Sequence, residues 1–550
     1  MDYIANYWRL VVPVKSTAEL TAEEFLFVLP WVGPHEFVSS SCIAFNRWRL
    51  LVVCVLGHAC IGSFMAFNTL MEGFDVYFYG HHTGATIQVM LLSFVFFGFS
   101  AAFIGPFVET NPPRVSLATG TGLVAMGYFL AQLAVVGQSP LFLAIGFSGF
   151  SGTGFGVALI ALTSGVQKWF PDYRGLASGL CMFGLGLGFC GFTLLYTWML
   201  KRAGPYDPVT DVSAIPNLLW STGLGLVATL CLCGCVIRTP PTTFEVNGQD
   251  IHGIPISRAP NPDVVHDEFL KAGMTLVNYN LLQDHHDTLT DVHYFQQVKA
   301  MSLLQCIASA DFVLLYIGFA ANAIPGMLFA TEVYDIATGV FNQPSDVTNL
   351  LVFQGFLTNS IGRLLCPLVS DMLIRVFYAN PAFARKAVFV ALLTAQLLAF
   401  SVAHAATSFD SFRLVLIVVV FCSGGGFALL PCYVTDMFGV YHTATMCGLA
   451  LTCWSLRAVV VGYAFAAFRV TQESLGRQFD WLLILVAVGW VASLLVRTNS
   501  MDRFYFGYQY SVCGKVVLRI GGGPGIPIDV VEGSLAILET ARDRISSSTR

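Results

Sequence analysis

Charge is what this sequence most lacks. Only 11% of its 550 residues are Asp, Glu, Lys or Arg, whereas soluble globular chains carry about a quarter. A surface with so little charge must face something other than water, and lipid is the obvious candidate. The sequence also lacks a basic tract, which argues against a nucleic-acid partner.

Motifs for cofactors, metals and catalysis are missing as well. The glycine-rich residues 521–525 are not followed by the Lys-Ser or Lys-Thr of a phosphate-binding loop. Most of the fifteen cysteines lie inside apolar runs, where Cys behaves as a small hydrophobic residue, so no disulfide framework or metal site is expected. We find no nucleophile elbow and no pair of catalytic carboxylates. The sequence therefore predicts no cofactor, no metal and no enzymatic activity.

Long polar stretches are rare, and apolar runs take their place. Each run is about twenty residues long, which is the length needed to cross the hydrocarbon core as a helix. The runs are continuous rather than alternating, which excludes a spanning β-barrel. We predict helices at residues 50–71, 86–108, 115–137, 140–167, 175–199, 217–237, 302–329, 349–373, 385–405, 411–434, 443–468 and 479–497.

One long polar interval divides these runs into two sets of six. The sequence therefore predicts an all-α polytopic membrane protein with twelve transmembrane helices in two six-helix bundles. The apolar piece at residues 25–32 is too short for a span and follows two acidic residues, so no cleavable signal peptide is expected. The expected parts are an N-terminal segment (1–49), a first bundle (50–237), a linker loop (238–300), a second bundle (301–497) and a tail (498–550).

Lys and Arg are distributed unevenly between the loops. If both termini are cytoplasmic, most of the 28 basic residues fall on the cytoplasmic side. Those on the opposite side are Lys201, Arg202, Arg413, Arg469 and Arg477. Because cytoplasmic loops carry the excess of Lys and Arg, we expect both termini to be cytoplasmic. We expect the plasma membrane rather than an internal membrane.

The two predicted bundles repeat a short charged turn. Glu109 and Arg114 follow the second helix, and Asp371 and Arg375 follow the eighth. An acid at the C-terminal end of a helix is poorly placed for the dipole of that helix. We therefore expect each acid to grip a neighbouring helix, as part of a conformational gate.

Three stretches carry a family likeness. They read Lys-Trp-Phe-Pro-Asp-Tyr-Arg-Gly-Leu-Ala-Ser-Gly-Leu-Cys-Met-Phe-Gly-Leu-Gly-Leu-Gly (168–188), Asn-Ser-Ile-Gly-Arg-Leu-Leu-Cys-Pro-Leu-Val-Ser-Asp (359–371) and Gly-Gly-Gly-Phe-Ala-Leu-Leu-Pro-Cys-Tyr-Val-Thr-Asp-Met-Phe-Gly (424–439). In this order, the stretches resemble the oxalate–formate antiporter family and its monocarboxylate-carrier relatives in the major facilitator superfamily. The resemblance implies two six-helix bundles, a central cavity and alternating access by rocking of the halves. Asp172 and Arg174, in the first stretch, join the predicted gate.

The sequence also departs from this family's pattern. Residues 65–67 read Met-Ala-Phe where the family often has a Tyr-x-Trp segment, and Glu109 stands where it usually has Asp. Trp454 stands at the position of the antiporter's helix-11 lysine, and residues 366–367 read Cys-Pro instead of Trp-Gly. These changes leave the expected fold intact and the substrate open.

Two basic residues fall inside the predicted spans, Arg363 and Arg457, each near the middle of its helix. A central Arg costs about 2.5–3.5 kcal/mol on insertion scales, so such residues usually face a wet cavity or a partner. The guanidinium fork also matches a carboxylate bidentately. Arg363 lies in an Asn-x-x-x-Arg spacing with Asn359, where the resemblance implies a substrate-binding arginine. Arg457 lies close to Trp454 and is a second candidate, with a structural salt bridge as the alternative role for both arginines.

Further side chains are predicted near the same cavity. Trp454, Tyr316 and Tyr433 are expected to line it, although placement at the membrane interface accounts equally well for the tyrosines. Asp311 is a buried acid that could pair with either arginine at rest and take up a proton when substrate displaces it. His58 is a second proton-coupling candidate, and a structural role is the alternative for both.

These residues predict a secondary active transporter for a small organic anion, either a monocarboxylate or a short dicarboxylate, working by proton coupling or by exchange. The expected partners are that substrate and the lipid bilayer. Two alternatives stay open: a carrier for a neutral or zwitterionic solute such as an amino acid, and a nutrient receptor that senses without transport. The signatures of sugar porters are absent, which argues against a sugar.

Overall fold

Twelve long helices dominate the part of the chain that the computed structural model describes. It describes residues 7–8, 15–30, 37–81, 83–202, 215–241, 243–254, 297–299, 301–403, 408–465, 472–505, 507–512 and 515–521. The long helices are α1 (Arg47–Tyr79), α2 (Ala85–Thr110), α3 (Pro113–Val136), α4 (Pro140–Trp169), α5 (Arg174–Arg202), α6 (Ile215–Val236), α7 (Ala310–Asp335), α8 (Ser345–Val376), α9 (Pro381–Ala403), α10 (Phe409–Phe438), α11 (Thr443–Phe465) and α12 (Gln472–Leu495).

Ten helices among the described residues are long and apolar enough to cross a membrane. The two long helices outside that set are α8 and α11, which carry Arg363 and Arg457. A membrane helix with a polar or charged interior face needs a protein or water partner there. The predicted all-α fold is confirmed.

Local sequence signals set several helix ends. The side chain of Asn46 accepts a hydrogen bond from the Trp48 amide and caps α1, and Pro113 stands at the first position of α3. Ser309 caps α7 by accepting from the Phe312 amide. Each satisfies or removes a backbone donor that the helix itself leaves unpaired.

Shorter elements complete the described chain. Short helices span Thr17–Ala22, Leu303–Ala308 and Ser500–Arg503, and a π-helical turn at Ile336–Val340 extends α7. Three antiparallel strand pairs are β1 (Val28–Pro30) with β2 (Phe37–Ser39), β3 (Glu245–Val246) with β4 (Gln249–Asp250), and β5 (Tyr508–Val512) with β6 (Lys515–Ile520). We call α1–α6 the first half, α7–α12 the second half, and the end of the bundle where α6 ends and α7 begins the linker end.

Glycines let the two halves approach closely. A Cβ added to Gly105 of α2 would lie 2.5 Å from the Cα of Thr445 in α11, and one added to Gly448 of α11 would collide with the Ala101 carbonyl of α2. In the same way, Gly175 of α5 lies against the Pro367 carbonyl of α8. Small residues allow this close backbone packing in membrane proteins. The halves therefore meet along two helix pairs, α2 with α11 and α5 with α8.

Candidate functional site

A cavity of about 130 Å³ lies where the two halves meet, between helices of both. Arg363, Arg457, Asn359 and Trp454 all line it, so the structure brings together four of the residues selected from the sequence. On this measure one water needs about 10–15 Å³. The cavity therefore has room for several waters or one small organic molecule.

Arg363 is held in place by its own helix. Its Nε donates to Asn359 Oδ1 at 2.9 Å, and Asn359 Nδ2 donates in turn to the Val420 carbonyl of α10 at 2.8 Å. The guanidinium carbon lies 5.2 Å from the ring centroid of Phe427. Within the described part of the chain, Arg363 forms no ion pair with an acid. A buried cation without a carboxylate partner is costly.

Arg457 has a different environment. The Nη2 of Arg457 donates to the Met327 carbonyl of α7 at 2.6 Å. The guanidinium also interacts electrostatically with Glu332, which lies on α7 as well. The second arginine of the cavity is therefore partly balanced by an acid. Glu332 was not selected from the sequence, because the predicted seventh helix ended at residue 329, whereas α7 continues to Asp335.

Aromatic and aliphatic side chains form the rest of the wall. The Trp454 ring stacks on Phe427 with centroids 4.8 Å apart, and on Phe97 of the first half with centroids 5.8 Å apart. Met65 and Phe189 add apolar surface from α1 and α5. The site thus combines two guanidinium groups with an otherwise largely apolar wall, as binding pockets with a few placed polar groups do.

Two predicted tyrosines are not among the described residues that line this cavity. Tyr316 shares a hydrogen bond with Thr452 Oγ1 at 3.0 Å, on the side of α7 that faces α11. Tyr433 is buried in the second half, with its ring centroid 6.1 Å from that of Phe389. Neither tyrosine therefore lies at the cavity wall as expected: Tyr316 is on the face of α7 that carries Ala323 and Met327 but about two helical turns nearer the linker end, and Tyr433 packs against α9.

His58 lies in the packed interior of the first half. Its Nδ1 is 2.7 Å from the Cys54 carbonyl and its Nε2 is 3.2 Å from Thr163 Oγ1 of α4. Both ring nitrogens therefore have partners, and His58 is not among the described residues lining the cavity. This geometry fits a structural role for His58, which was the alternative to proton coupling.

Asp311 lies at the linker end rather than beside the arginines of the cavity. Its Oδ2 pairs with Arg497 Nη2 at 2.9 Å, and its Oδ1 accepts from the Arg497 backbone amide, also at 2.9 Å. The expected pairing with Arg363 or Arg457 is not what the structure shows. The reason is the helix boundary: α7 begins at Ala310, so the acid falls in its first turn, where it also complements the helix dipole.

The repeated acidic turns close the linker end symmetrically. Glu109 Oε1 accepts from the Ala444 amide at the start of α11 at 2.7 Å. Asp371 accepts from the Gly175 and Leu176 amides at the start of α5, at 3.1 and 2.7 Å. Each acid therefore binds the N-terminus of a helix in the opposite half, where a negative charge is stabilised. Within its own half, Glu109 also pairs with Lys168, and Asp371 with Arg385.

A further ion pair crosses between the halves. Arg174 Nη1 lies 2.6 Å from Asp436 Oδ1, and the other carboxylate oxygen of Asp436 binds Arg385. Asp436 was missed as a gate residue although the third motif stretch contains it. The sequence did contain a signal for Asp436. This residue lies near the end of α10, at a place similar to that of Lys168 near the end of α4.

The remaining predicted gate residues bind neighbours at the same end. Arg114 pairs with Glu23 of the N-terminal segment at 3.1 Å rather than with Glu109. Arg375 Nη2 donates to the Asp172 carbonyl, which joins the halves again, and Asp172 pairs with Arg47 at 2.7 Å. All six predicted gate residues are therefore gathered at the linker end.

The start of the linker covers this network. Asn247, in the turn of the β3–β4 pair, donates to Asp172 Oδ2 at 2.7 Å, and Arg174 Nη2 donates to the Ile251 carbonyl at 3.0 Å. The His252 ring packs against Tyr441 of the second half, with centroids 5.4 Å apart. Burial, followed by the nearby charges of Lys299 and Arg174, lowers the pKa of His252 to about 3. The linker thus contacts both halves and holds them together.

Comparison with known proteins agrees with this geometry. The model of the Major Facilitator Superfamily matches residues 50–462. The oxalate:formate antiporter of Oxalobacter formigenes is 26% identical over 418 residues, which make up 75% of this chain and 82% of that protein. Monocarboxylate transporter 13 of Bos taurus is 27% identical over 274 residues, 45% of this chain and 57% of that transporter. The resemblance inferred from the three motif stretches is confirmed.

Solved structures share the fold at low identity. The proton:xylose symporter XylE bound to 6-bromo-6-deoxy-D-glucose is 12% identical, with a TM-score of 0.54 over 82% of this chain and 94% of that chain. The transporter FucP in its outward conformation is also 12% identical, with a TM-score of 0.53 over 82% of this chain and 100% of that chain. These similarities show the fold alone, and they confirm the predicted architecture.

Proposed function

The chain belongs to the Major Facilitator Superfamily of membrane transporters, and from that premise we propose that it carries a small organic anion by alternating access. The observation that carries the proposal is Arg363, a buried guanidinium on the cavity wall with no acidic partner in the described part of the chain. Leaving a buried charge unpaired is costly. A substrate carboxylate supplies the missing negative charge and can bind the guanidinium fork bidentately.

The rest of the cavity favours a monocarboxylate over a dicarboxylate. Arg457 already interacts with Glu332, so a second carboxylate has to displace that acid before it can bind. Phe94 and Phe189 offer apolar surface to the body of the substrate instead. A short dicarboxylate fits if Glu332 takes up a proton. The similarity to an oxalate:formate antiporter and to monocarboxylate transporters supports both substrate classes.

Coupling is proposed to involve Glu332 rather than Asp311. An anion arriving at Arg457 competes with Glu332, and a displaced buried carboxylate binds a proton more readily because burial disfavours its charged form. That sequence of events couples substrate to a proton, whereas exchange of one anion for another leaves Glu332 ionised. Both modes follow from the same pair of residues.

We place the closed linker end in the cytoplasm, together with both termini. The distribution of Lys and Arg supports this orientation, and we propose the plasma membrane as the location. In the state described, substrate then enters the cavity from the opposite, outer side.

A zwitterionic cargo is the second candidate, and Glu332 is the observation that favours it. An amino acid could place its carboxylate on Arg363 and its ammonium group on Glu332. A neutral solute has no group that would balance Arg363. A receptor that binds without transport would share the same cavity, and only measurement of flux separates the two.

Ligand binding to the purified protein tests the choice of substrate class. A ligand at a hundred times its Kd stabilises the folded state by about 2.7 kcal/mol, which raises the thermal unfolding temperature. We expect such a rise with pyruvate, lactate, formate or oxalate, and its loss in Arg363→Gln. A rise with alanine alone would favour the zwitterion, and a rise that persists in Arg363→Gln contradicts the proposed site.

A further inference from the structure

The C-terminal strand pair presents one mixed face beside α12. In the antiparallel pairing, Tyr508 stands opposite Ile520 and Tyr510 stands opposite Leu518. Residues directly opposite one another on paired strands share a face of the sheet. The two tyrosines, Leu518 and Ile520 therefore point to the same side, which we call the tyrosine face.

The tyrosines fix the depth of this face. The Tyr510 hydroxyl donates to the Leu494 carbonyl at 2.7 Å, and the Tyr508 hydroxyl donates to the Leu495 carbonyl. These carbonyls belong to the last turn of α12, where the helix leaves its acceptors unpaired. A spanning helix ends at the boundary between hydrocarbon and headgroups, and Tyr is enriched at that level. The tyrosine face therefore lies at headgroup depth.

The outer strand of the pair is exposed and apolar. Leu518 is 37% exposed, Val516 48% and Ile520 59%. Clustered apolar side chains on an outer surface mark a place where lipid or protein binds. Lys515 and Arg519 are also exposed on this strand, so it carries positive charge as well.

The strand pair does not stand alone. The Asp502 carboxylate accepts from Gln509 Nε2 at 3.0 Å and from the Ser511 amide at 2.8 Å. Arg497, just before this segment, binds both Asp311 and the Asp502 carbonyl. An isolated two-stranded pair is marginally stable in water, and these bonds fix it to the second half. The exposed strand is therefore held at one place at the end of α12.

We propose that this strand binds the membrane surface, with Val516, Leu518 and Ile520 inserted among the lipid headgroups at the linker end. Arg519 stands on the opposite face of the same strand, where it donates to Gln509 Oε1 at 2.9 Å, and Lys515 adds positive charge that attracts the lipid phosphates. Interfacial binding of this kind combines apolar burial with attraction between basic side chains and lipid. The strand pair thus anchors the second half to the bilayer surface, independently of which solute the protein carries.

A photo-crosslinking experiment on the full chain in lipid nanodiscs tests the proposal. Leu518 is replaced by p-benzoylphenylalanine, and in a second variant Ile520 is replaced instead, in case one substitution disturbs the strand. Lys299 is the control position, because it is exposed and lies near His252 over the centre of the linker end. After irradiation, the intact protein is weighed by mass spectrometry.

Addition of one lipid mass at Leu518 and Ile520, several-fold more than at Lys299, is the expected result. Equal lipid addition at all three positions, or no lipid addition, would overturn the proposal. Addition of a protein mass at Leu518 would overturn it too, since it would show that the strand edge pairs with another chain.

Discussion

At the scale of single residues, the proposed binding of an anion depends on how Arg363 is oriented. Asn359 accepts from its Nε, and the Met182 carbonyl accepts from its Nη1 at 3.4 Å, which leaves Nη2 and the second hydrogen of Nη1 to meet an anion. Hydrogen bonds to charged groups contribute about 1.5–3 kcal/mol. We therefore expect Asn359→Ala to raise the Kd for the anionic substrate about tenfold or more, measured by titration of the purified protein.

The matched control for that substitution is on the same helix. Leu357 is 43% exposed on the outer face of α8, so Leu357→Ala should leave the Kd unchanged. If both substitutions weaken binding equally, or if Asn359→Ala has no effect, Asn359 does not orient Arg363 for binding.

The residue-level predictions succeeded where chemistry within one helix decides the contact. Arg363 and Asn359 are one helical turn apart, so their contact follows from spacing alone. Asp311 and Glu332 depended instead on where α7 begins and ends. The predicted helix began eight residues before α7 and ended six residues before its end, which placed Asp311 too deep in the span and left Glu332 out of it. Contacts between residues on different helices, such as the ion pair of Arg174 with Asp436, depend on how the helices pack. The sequence pattern within one helix does not specify that packing.

At the scale of helices, alternating access requires the halves to close at the linker end. Gly448 of α11 lies directly against α2, so Gly448→Val forces the two helices apart. Overpacking costs about 1–3 kcal/mol, equivalent to about a 5- to 150-fold change in an equilibrium. We expect transport by Gly448→Val to fall by at least about fivefold, because the closed linker end is disfavoured.

Gly225 of α6 provides the control, since no neighbouring atom lies within 4 Å of an added Cβ. Gly225→Val should transport like the unmodified protein, and Gly448→Ala should show a milder loss if the valine variant folds poorly. Unchanged transport in Gly448→Val would mean that the α2–α11 contact does not belong to the working cycle.

The linker should release from the gate in mild acid. Docked His252 has a pKa of about 3, because burial and then Lys299 and Arg174 disfavour its charged form. A released His has a pKa near 6.5, so the released state binds the extra proton as the pH falls below that value. At pH 5 this favours release by about 2 kcal/mol. Hydrogen exchange of residues 245–254, corrected for the intrinsic effect of pH, should therefore accelerate between pH 7 and pH 5.

His252→Phe separates this effect from other titrations. Phenylalanine keeps a ring against Tyr441 but takes up no proton, so its exchange should be the same at both pH values. The pKa of His442 in the neighbouring turn is also lowered, first by burial. Equal acceleration in His252→Phe would assign the pH response to His442 or another group.

Helices were easier to predict than the small strand pairs. Runs such as residues 86–108 are long, continuous and apolar, which leaves a helix as the one spanning structure. The β3–β4 pair has two residues in each strand and gives no alternating pattern, so its place over Arg174 was not foreseen. The orientation of the helices relative to the membrane stays a prediction.

At the scale of the whole molecule, the cavity that holds Arg363 and Arg457 is combined with a linker end closed by charged contacts. Glu109 and Asp371 each bind a helix of the opposite half, and Arg174 pairs with Asp436 across the same boundary. Alternating access requires such a closure at one end while the cavity opens at the other. The overall arrangement was predictable from family motifs, whereas the N-terminal segment, the linker and the tail lie outside those motifs.

Uptake of labelled pyruvate, lactate, formate and oxalate into proteoliposomes tests the central claim most directly. The comparison sets the unmodified protein beside Arg363→Gln, Arg457→Gln and the control Leu357→Ala, with and without a pH gradient. The account predicts uptake of at least one acid that collapses in Arg363→Gln and persists in Leu357→Ala. Stimulation by an inward proton gradient would indicate proton coupling, and stimulation by acid loaded inside would indicate exchange. No uptake of any acid by folded protein, or uptake indifferent to both arginines, would contradict the account.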